Sequence, residues 1–243
     1  MKIRNTLPSA VTMGNITCGF FSILCASNYQ FEIAAWLIVV AMVLDAFDGR
    51  LARMMKCTSE IGAQLDSMAD LVTFGIAPAM LLIKACTDFS NVFLWGVGSF
   101  FMICAAFRLA RFNIQKNDNT TMSSHFYTGL PTTLSGGTIA QLVILDHFIQ
   151  VKFGIDVVAT LLPFVTFTLG LFMVSKVPFF NITGKIGLKQ GVWLMMLEFF
   201  AAILFFVLTP VLTLSTVLSC YLIICAMYGV VKSRHLKKEY STT

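Results

Sequence analysis

Residues 36–83 read WLIVVAMVLDAFDGRLARMMKCTSEIGAQLDSMADLVTFGIAPAMLLI, two apolar runs joined by a short polar hinge at 54–58. Each run carries a pair of acids at a depth where acids are costly. An ionisable side chain at the centre of a bilayer costs about 2.5–3.5 kcal/mol on insertion scales, so such groups mark function by default. Asp45 and Asp48 lie three apart, roughly 60° from each other around a helix. Asp66 and Asp70 lie four apart, roughly 40° from each other. Each pair therefore shares one helix face. The first run descends to the hinge and the second leaves it, so all four carboxylates converge at one depth.

The rest of the chain is built like these two runs. Of its 243 residues 57% are hydrophobic and only 12% charged, with a mean hydropathy of +0.82, whereas soluble chains average about 25% charged residues. Apolar stretches recur throughout, which predicts spans at 7–27, 31–51, 59–85, 92–111, 130–149, 155–174, 192–208 and 211–231. Each is near the roughly 20 residues that cross a hydrocarbon layer of about 30 Å. Lys2 and Arg4 ahead of the first run suggest a leader peptide, but Pro8, Thr12, Asn15 and Thr17 interrupt it and no small-residue cleavage site follows. A retained first helix is expected. The fold class is thus all-α integral membrane, with about eight transmembrane helices. Its last two spans, in 191–243, are an addition to a core at 1–190.

Charge gives the direction. With a cytosolic N-terminus, the inner segments hold Lys2 and Arg4; Arg50, Arg53 and Lys56; Arg108, Arg111 and Lys116; Lys176, Lys185 and Lys189; and Lys232, Arg234, Lys237 and Lys238. Those are 15 of the 17 Lys and Arg residues, leaving Lys84 and Lys152 outside. Such a partition predicts both termini and the acids on the cytosolic side of a cytoplasmic (inner) membrane. The net charge of +5 follows from that topology and calls for no nucleic-acid partner; it also suits an anionic lipid surface.

Four carboxylates in one place repel unless cations neutralise them. Pairing with Arg50, Arg53 and Lys56 would explain a single interfacial acid, but not four on two matching faces. His125, His147 and His235 sit in no ligand spacing, and the seven cysteines are mostly in apolar stretches, where thiols act as small apolar side chains. Ligation by oxygen alone points to Mg²⁺, Mn²⁺ or Ca²⁺. Four carboxylates suffice for two bridged ions, an arrangement that clamps the attacking and leaving oxygens of phosphoryl chemistry.

In order, Asp45-x-x-Asp48-Gly49-x-x-Ala52-Arg53, eight residues, then Gly62-x-x-x-Asp66-x-x-x-Asp70 resembles the CDP-alcohol phosphotransferase motif at every specified position. The resemblance implies a six-helix membrane core that moves a phosphate-linked group from a CDP-linked donor to an alcohol and releases CMP. It implies a two-metal site on Asp45, Asp48, Asp66 and Asp70, with Asp70 also the general base. Gly49, Ala52, Arg53 and Gly62 are implied on the CDP side. There a guanidinium at Arg53 can make charge-assisted contacts to the diphosphate and stabilise charge on leaving CMP.

The flanking runs Arg108–Asn113, Phe126–Pro131 and Leu171–Ser175, with the opening Leu7-Pro8…Thr12…Gly14-Asn15…Cys18-Gly19, are similar to membrane-integral phosphatidylserine synthases. Ser9 departs from the Asn common there. This likeness implies CDP-diacylglycerol and L-serine as substrates, Thr12 and Asn15 on the nucleotide side, and, weakly, a homodimer. A carboxylate-bearing acceptor beside four acids needs a cationic partner, which makes Arg108 and Arg111, with Asn113, the serine-binding candidates. Lys185 is the candidate for phosphate or lipid head groups. Other acceptors (glycerol phosphate, inositol phosphate), an archaeal lipid donor, or a cation transporter using the same acids are the alternatives.

Overall fold

A computed structural model of the chain describes residues 3–55, 60–117, 126–153, 157–175 and 178–180. Within these the chain forms α1 (Ile3–Ser27), α2 (Phe31–Met55), α3 (Glu60–Asp70), a π-helical turn (Leu71–Ile76), α4 (Ala77–Ala85), α5 (Asn91–Asn117), β1 (Phe126–Thr128), α6 (Thr132–Phe153), α7 (Val157–Val174) and β2 (Pro178–Phe180). Because α3, the π turn and α4 run on as one rod, there are six helical rods among the described residues. The six spans expected before residue 175 each fall on one rod. The seventh and eighth, and Lys185, lie outside the described residues. By length and apolarity, Ile61–Ala85, Asn91–Ile114 and Thr132–Lys152 suffice to cross a membrane, while Val11–Ser27 and Thr160–Val174 are shorter apolar helices.

The turn from α1 to α2 closes tightly. Tyr29 takes φ 61°, so Gln30 N–H reaches the Cys25 carbonyl (2.9 Å) and Tyr29 N–H that of Ala26 (3.2 Å). A left-handed residue just past the helix end lets the chain reverse while capping its last carbonyls. At the rod ends away from the acids, Lys84 Nζ lies 5.6 Å from the Tyr29 ring centre and His147 Nδ1 lies 3.5 Å from Glu32 Oε2.

The rod containing α3 and α4 is central: α1, α2, α5 and α6 all pack on it. Its π turn was not anticipated from the sequence, and Pro78 accounts for it. Proline has no N–H to offer the carbonyl four residues back, and its ring presses on that carbonyl in a regular turn. The helix widens instead, and Ala77 N–H bonds the Val72 carbonyl five residues back. Two glycines close onto the widened turn, whose Thr73, Phe74 and Gly75 are buried. A Cβ on Gly136 of α6 would stand 2.8 Å from the Phe74 carbonyl oxygen, and one on Gly19 of α1 would stand 2.9 Å from Thr73 Cα. Small residues at such crossings let backbones meet where lipid supplies no hydrophobic drive between helices.

Many large apolar side chains face outward, among them Phe20, Phe21, Trp95, Ile103, Phe107 and Phe164. Bands of this kind suit lipid rather than water. The helical expectation also missed the ribbon: β1 pairs antiparallel with β2, Phe126 opposite Phe180 and Thr128 opposite Pro178. Strands of three residues are too short to leave a period-two signal.

Candidate functional site

Asp45 on α2 and Asp66 and Asp70 on α3 come together as their helical phase requires. One carboxylate oxygen from each lies within 4.8 Å of the others, and Asp70 and Asp45 share a side-chain hydrogen bond. Asp45 and the two α3 acids sit on neighbouring rods, since α2 packs on α4 and the π turn of the rod that begins with α3. Asp48, Gly49, Ala52 and Arg53 lie on the final turns of the same α2, with side chains outside those described. Gly62 lies one turn before Asp66 and is half-buried.

The donor set suits a hard cation. Asp70 Oδ1 is buried and has no hydrogen-bond partner. A desolvated carboxylate oxygen left this way normally costs a few kcal/mol, and a bound metal ion would satisfy it. Three carboxylates, with no His or Cys among them, fit the oxygen preference of Mg²⁺, Mn²⁺ or Ca²⁺.

α5 brings the cations. Arg108 is half-buried and its charge acts on Asp70. Its Nη1 donates to Thr132 Oγ1 at 3.0 Å, at the first residue of α6, and its guanidinium lies 5.4 Å from the Phe112 ring centre. Arg111, one turn on, faces elsewhere. Its Nη1 donates to the Val174 carbonyl (3.2 Å) and its Nη2 to those of Met173 (3.5 Å) and Ser175 (3.4 Å). A cation there satisfies the last carbonyls of α7 and meets the negative end of its dipole. Gly129 completes this clamp: at φ +87° its missing Cβ would strike the Met173 carbonyl and stand 2.6 Å from Arg111 Nη2.

Asn113, the third acceptor candidate, is held by α3: its Nδ2 donates to Ser67 Oγ at 2.9 Å. Thr12 and Asn15 are buried in α1. The Asn15 carbonyl accepts from Thr73 Oγ1 (3.1 Å), whereas its Oδ1 is buried without a partner and is a ready acceptor for a ligand donor. The structure thus brings together Asp45, Asp66, Asp70 and Arg108, and sets Arg111 on the end of α7. Sequence reasoning missed Ser67 and Thr132. Ser67 sits between the two α3 acids, and Thr132 follows Gly-Leu-Pro at a helix start, signals visible only once the partner helix is known.

Comparison with known proteins gives the same direction. Residues 5–172 match the family model described as CDP-alcohol phosphatidyltransferase. A Helicobacter pylori protein named CDP-diacylglycerol–serine O-phosphatidyltransferase is 32% identical over 229 residues, 93% of this chain and 90% of that protein. Proteins of the same name from Bacillus subtilis and Saccharomyces cerevisiae are 33% and 38% identical. The first alignment covers 78% of this chain and 99% of the relative; the second covers 51% and 49%. With its carboxylates converging as the motif requires, and with most of its length matched, the chain belongs to the CDP-alcohol phosphatidyltransferase family.

Proposed function

We propose that the chain makes phosphatidylserine, transferring the phosphatidyl group of CDP-diacylglycerol to L-serine with release of CMP. The observation that carries this reading is the cluster of Asp45, Asp66 and Asp70 with Arg108 beside it. Asp48 and Arg53 complete the site from the end of α2, and the site takes two divalent cations, Mg²⁺ or Mn²⁺, with Ca²⁺ an allowed substitute. When bound, these supply charge neutralisation of the diphosphate and of the departing CMP.

The remaining chemistry belongs to the chain. Arg53 lies against the diphosphate, with Gly49, Ala52 and Gly62 giving it close access and Thr12 and Asn15 on the nucleotide side. Arg108 takes the serine carboxylate, because Arg111 spends its donors on α7. Asp70 accepts the proton of the serine hydroxyl as that oxygen bonds the phosphorus bearing the lipid. The phosphoanhydride bond breaks and its electron pair leaves on CMP. The acyl chains stay in the membrane between helices, and Lys185 serves a phosphate or head group. In this reading eight spans cross the inner membrane, a six-helix core with two more at 191–243, with both termini and the acids cytosolic. A homodimer is the expected assembly.

Purified protein is incubated with CDP-diacylglycerol, Mn²⁺ or Mg²⁺, and a panel of alcohols, and CMP is measured. Serine-dependent CMP supports the reading. Release with another alcohol alone replaces the acceptor, and no release accompanied by cation flux in vesicles makes the chain a transporter.

A further inference from the structure

The sequence alone makes Asn113 an acceptor-binding candidate, but its surroundings give it another task. Its Nδ2 donates to Ser67 Oγ (2.9 Å), and Ser67 Oγ lies 3.1 Å from the Ala63 carbonyl one turn back. The hydroxyl can therefore accept from Asn113 and donate to Ala63 at once. That chain of bonds runs from α5 through Ser67, which lies between the two acids, to the α3 backbone at Ala63, three residues before Asp66. Ser67 follows Asp66 directly and precedes Asp70 by three residues.

The brace matters because of what lies beyond Asp70. There α3 passes into the π turn, so the regular four-residue hydrogen-bond ladder that sets side-chain phase along α3 stops at Asp70. Side-chain atoms ride at about 5–6 Å from a helix axis, so a roll of about 10° moves a carboxylate sideways by about 1 Å. Mg²⁺ demands near-ideal oxygen geometry, and shifts of that size are enough to weaken it. α5 meets α3 at two levels: Arg108 acts on Asp70, and Asn113 holds Ser67 nearer the hinge. Because α5 and α3 run in opposite directions, the residue later in α5 meets the one earlier in α3, as antiparallel packing requires.

We propose that Asn113 is a positioning residue for the metal site, acting through Ser67, and not a ligand of the acceptor. This rests on the reading that the acids hold divalent cations. The direct readout is Mn²⁺ binding to the purified full chain, followed by electron paramagnetic resonance, with serine KM and kcat measured alongside. Asn113→Ala and Ser67→Ala are each expected to weaken Mn²⁺ binding about tenfold, the scale on which partners behind metal ligands act. The double variant should bind no worse than either single one, Ser67→Thr should restore binding, and serine KM should stay within about twofold of wild type. If Asn113→Ala does not fold, Ser67→Ala carries the test, since it loses one hydroxyl and no bulk.

Unchanged Mn²⁺ binding in Ser67→Ala overturns the proposal. So does multiplicative weakening in the double variant, or a serine KM that rises in Asn113→Ala alone. Absence of Mn²⁺ binding by the wild-type chain would instead overturn the reading of the acids as a metal site.

Discussion

Asp70 is the last residue of α3 and the one acid of the cluster with a buried oxygen that makes no hydrogen bond. As the proposed base its amide variant keeps the shape and loses proton acceptance. Asp70→Asn should lower serine-dependent CMP release by about 10²–10⁴-fold, the usual contribution of a positioned base, while cation-dependent binding of CDP largely survives. A variant with wild-type turnover would remove the assignment. Arg111 makes a different expectation, since lysine cannot reproduce a planar fork aimed at three carbonyls. Arg111→Lys should lower stability in detergent by about 1–2 kcal/mol and leave serine KM nearly unchanged, whereas Arg108→Lys should raise that KM. Cys86, just past α4, gives a pH signature. Burial, followed by the charges of Asp146 and Asp88, pushes its thiol up to about 12. The raised value means that the fold favours the neutral thiol, so this contribution to stability is present below the ordinary value near 8.5 and is lost as pH climbs towards 12. In a variant keeping Cys86 alone, maleimide reaction should rise about tenfold per unit from pH 8 to 10 without levelling off, where an ordinary thiol reaches its plateau near pH 9.

At the scale of elements, the apolar runs before residue 175 were legible as helices from length and hydropathy, and the phase of Asp45, Asp66 and Asp70 followed from 3.6-residue geometry alone. The π turn was not legible. Pro78 was visible, but whether a helix kinks, ends or widens at proline depends on what packs against the freed carbonyl, here the bare backbone at Gly136. Gly136→Val is therefore expected to act far beyond its own size. Its side chain would occupy the place of the Phe74 carbonyl, costing about 1–3 kcal/mol as overpacking and lowering the melting temperature in detergent. Gly96, whose Cβ would meet nothing within 4 Å, is the control, and Gly96→Ala should be close to neutral. Equal losses at the two positions would show that general glycine propensity, and not the crossing, sets the effect.

For the whole molecule, charge distribution argues the direction and exposed apolar bands argue the setting. A cysteine at Asp88 should react with a membrane-impermeant maleimide added to intact cells, and one at Asn117 only after permeabilisation. The reverse pattern would invert the proposed topology. Arg111 shows where sequence reading stops at this scale: its charge was readable, but not that its acceptors lie at residues 173–175, more than 60 positions away. The pairing of β1 with β2 spans a similar separation, and this has a consequence in time. Asp45, Asp66 and Asp70 are all synthesised before Arg111 exists, and the strand that pairs with β1 is the last of the described elements to be made. At about 5–20 residues per second, the roughly 110 residues from Asp70 to Phe180 take on the order of 6–20 s to synthesise. During that interval a nascent chain has all three acids in hand while Arg111 still lacks the carbonyls it will clamp.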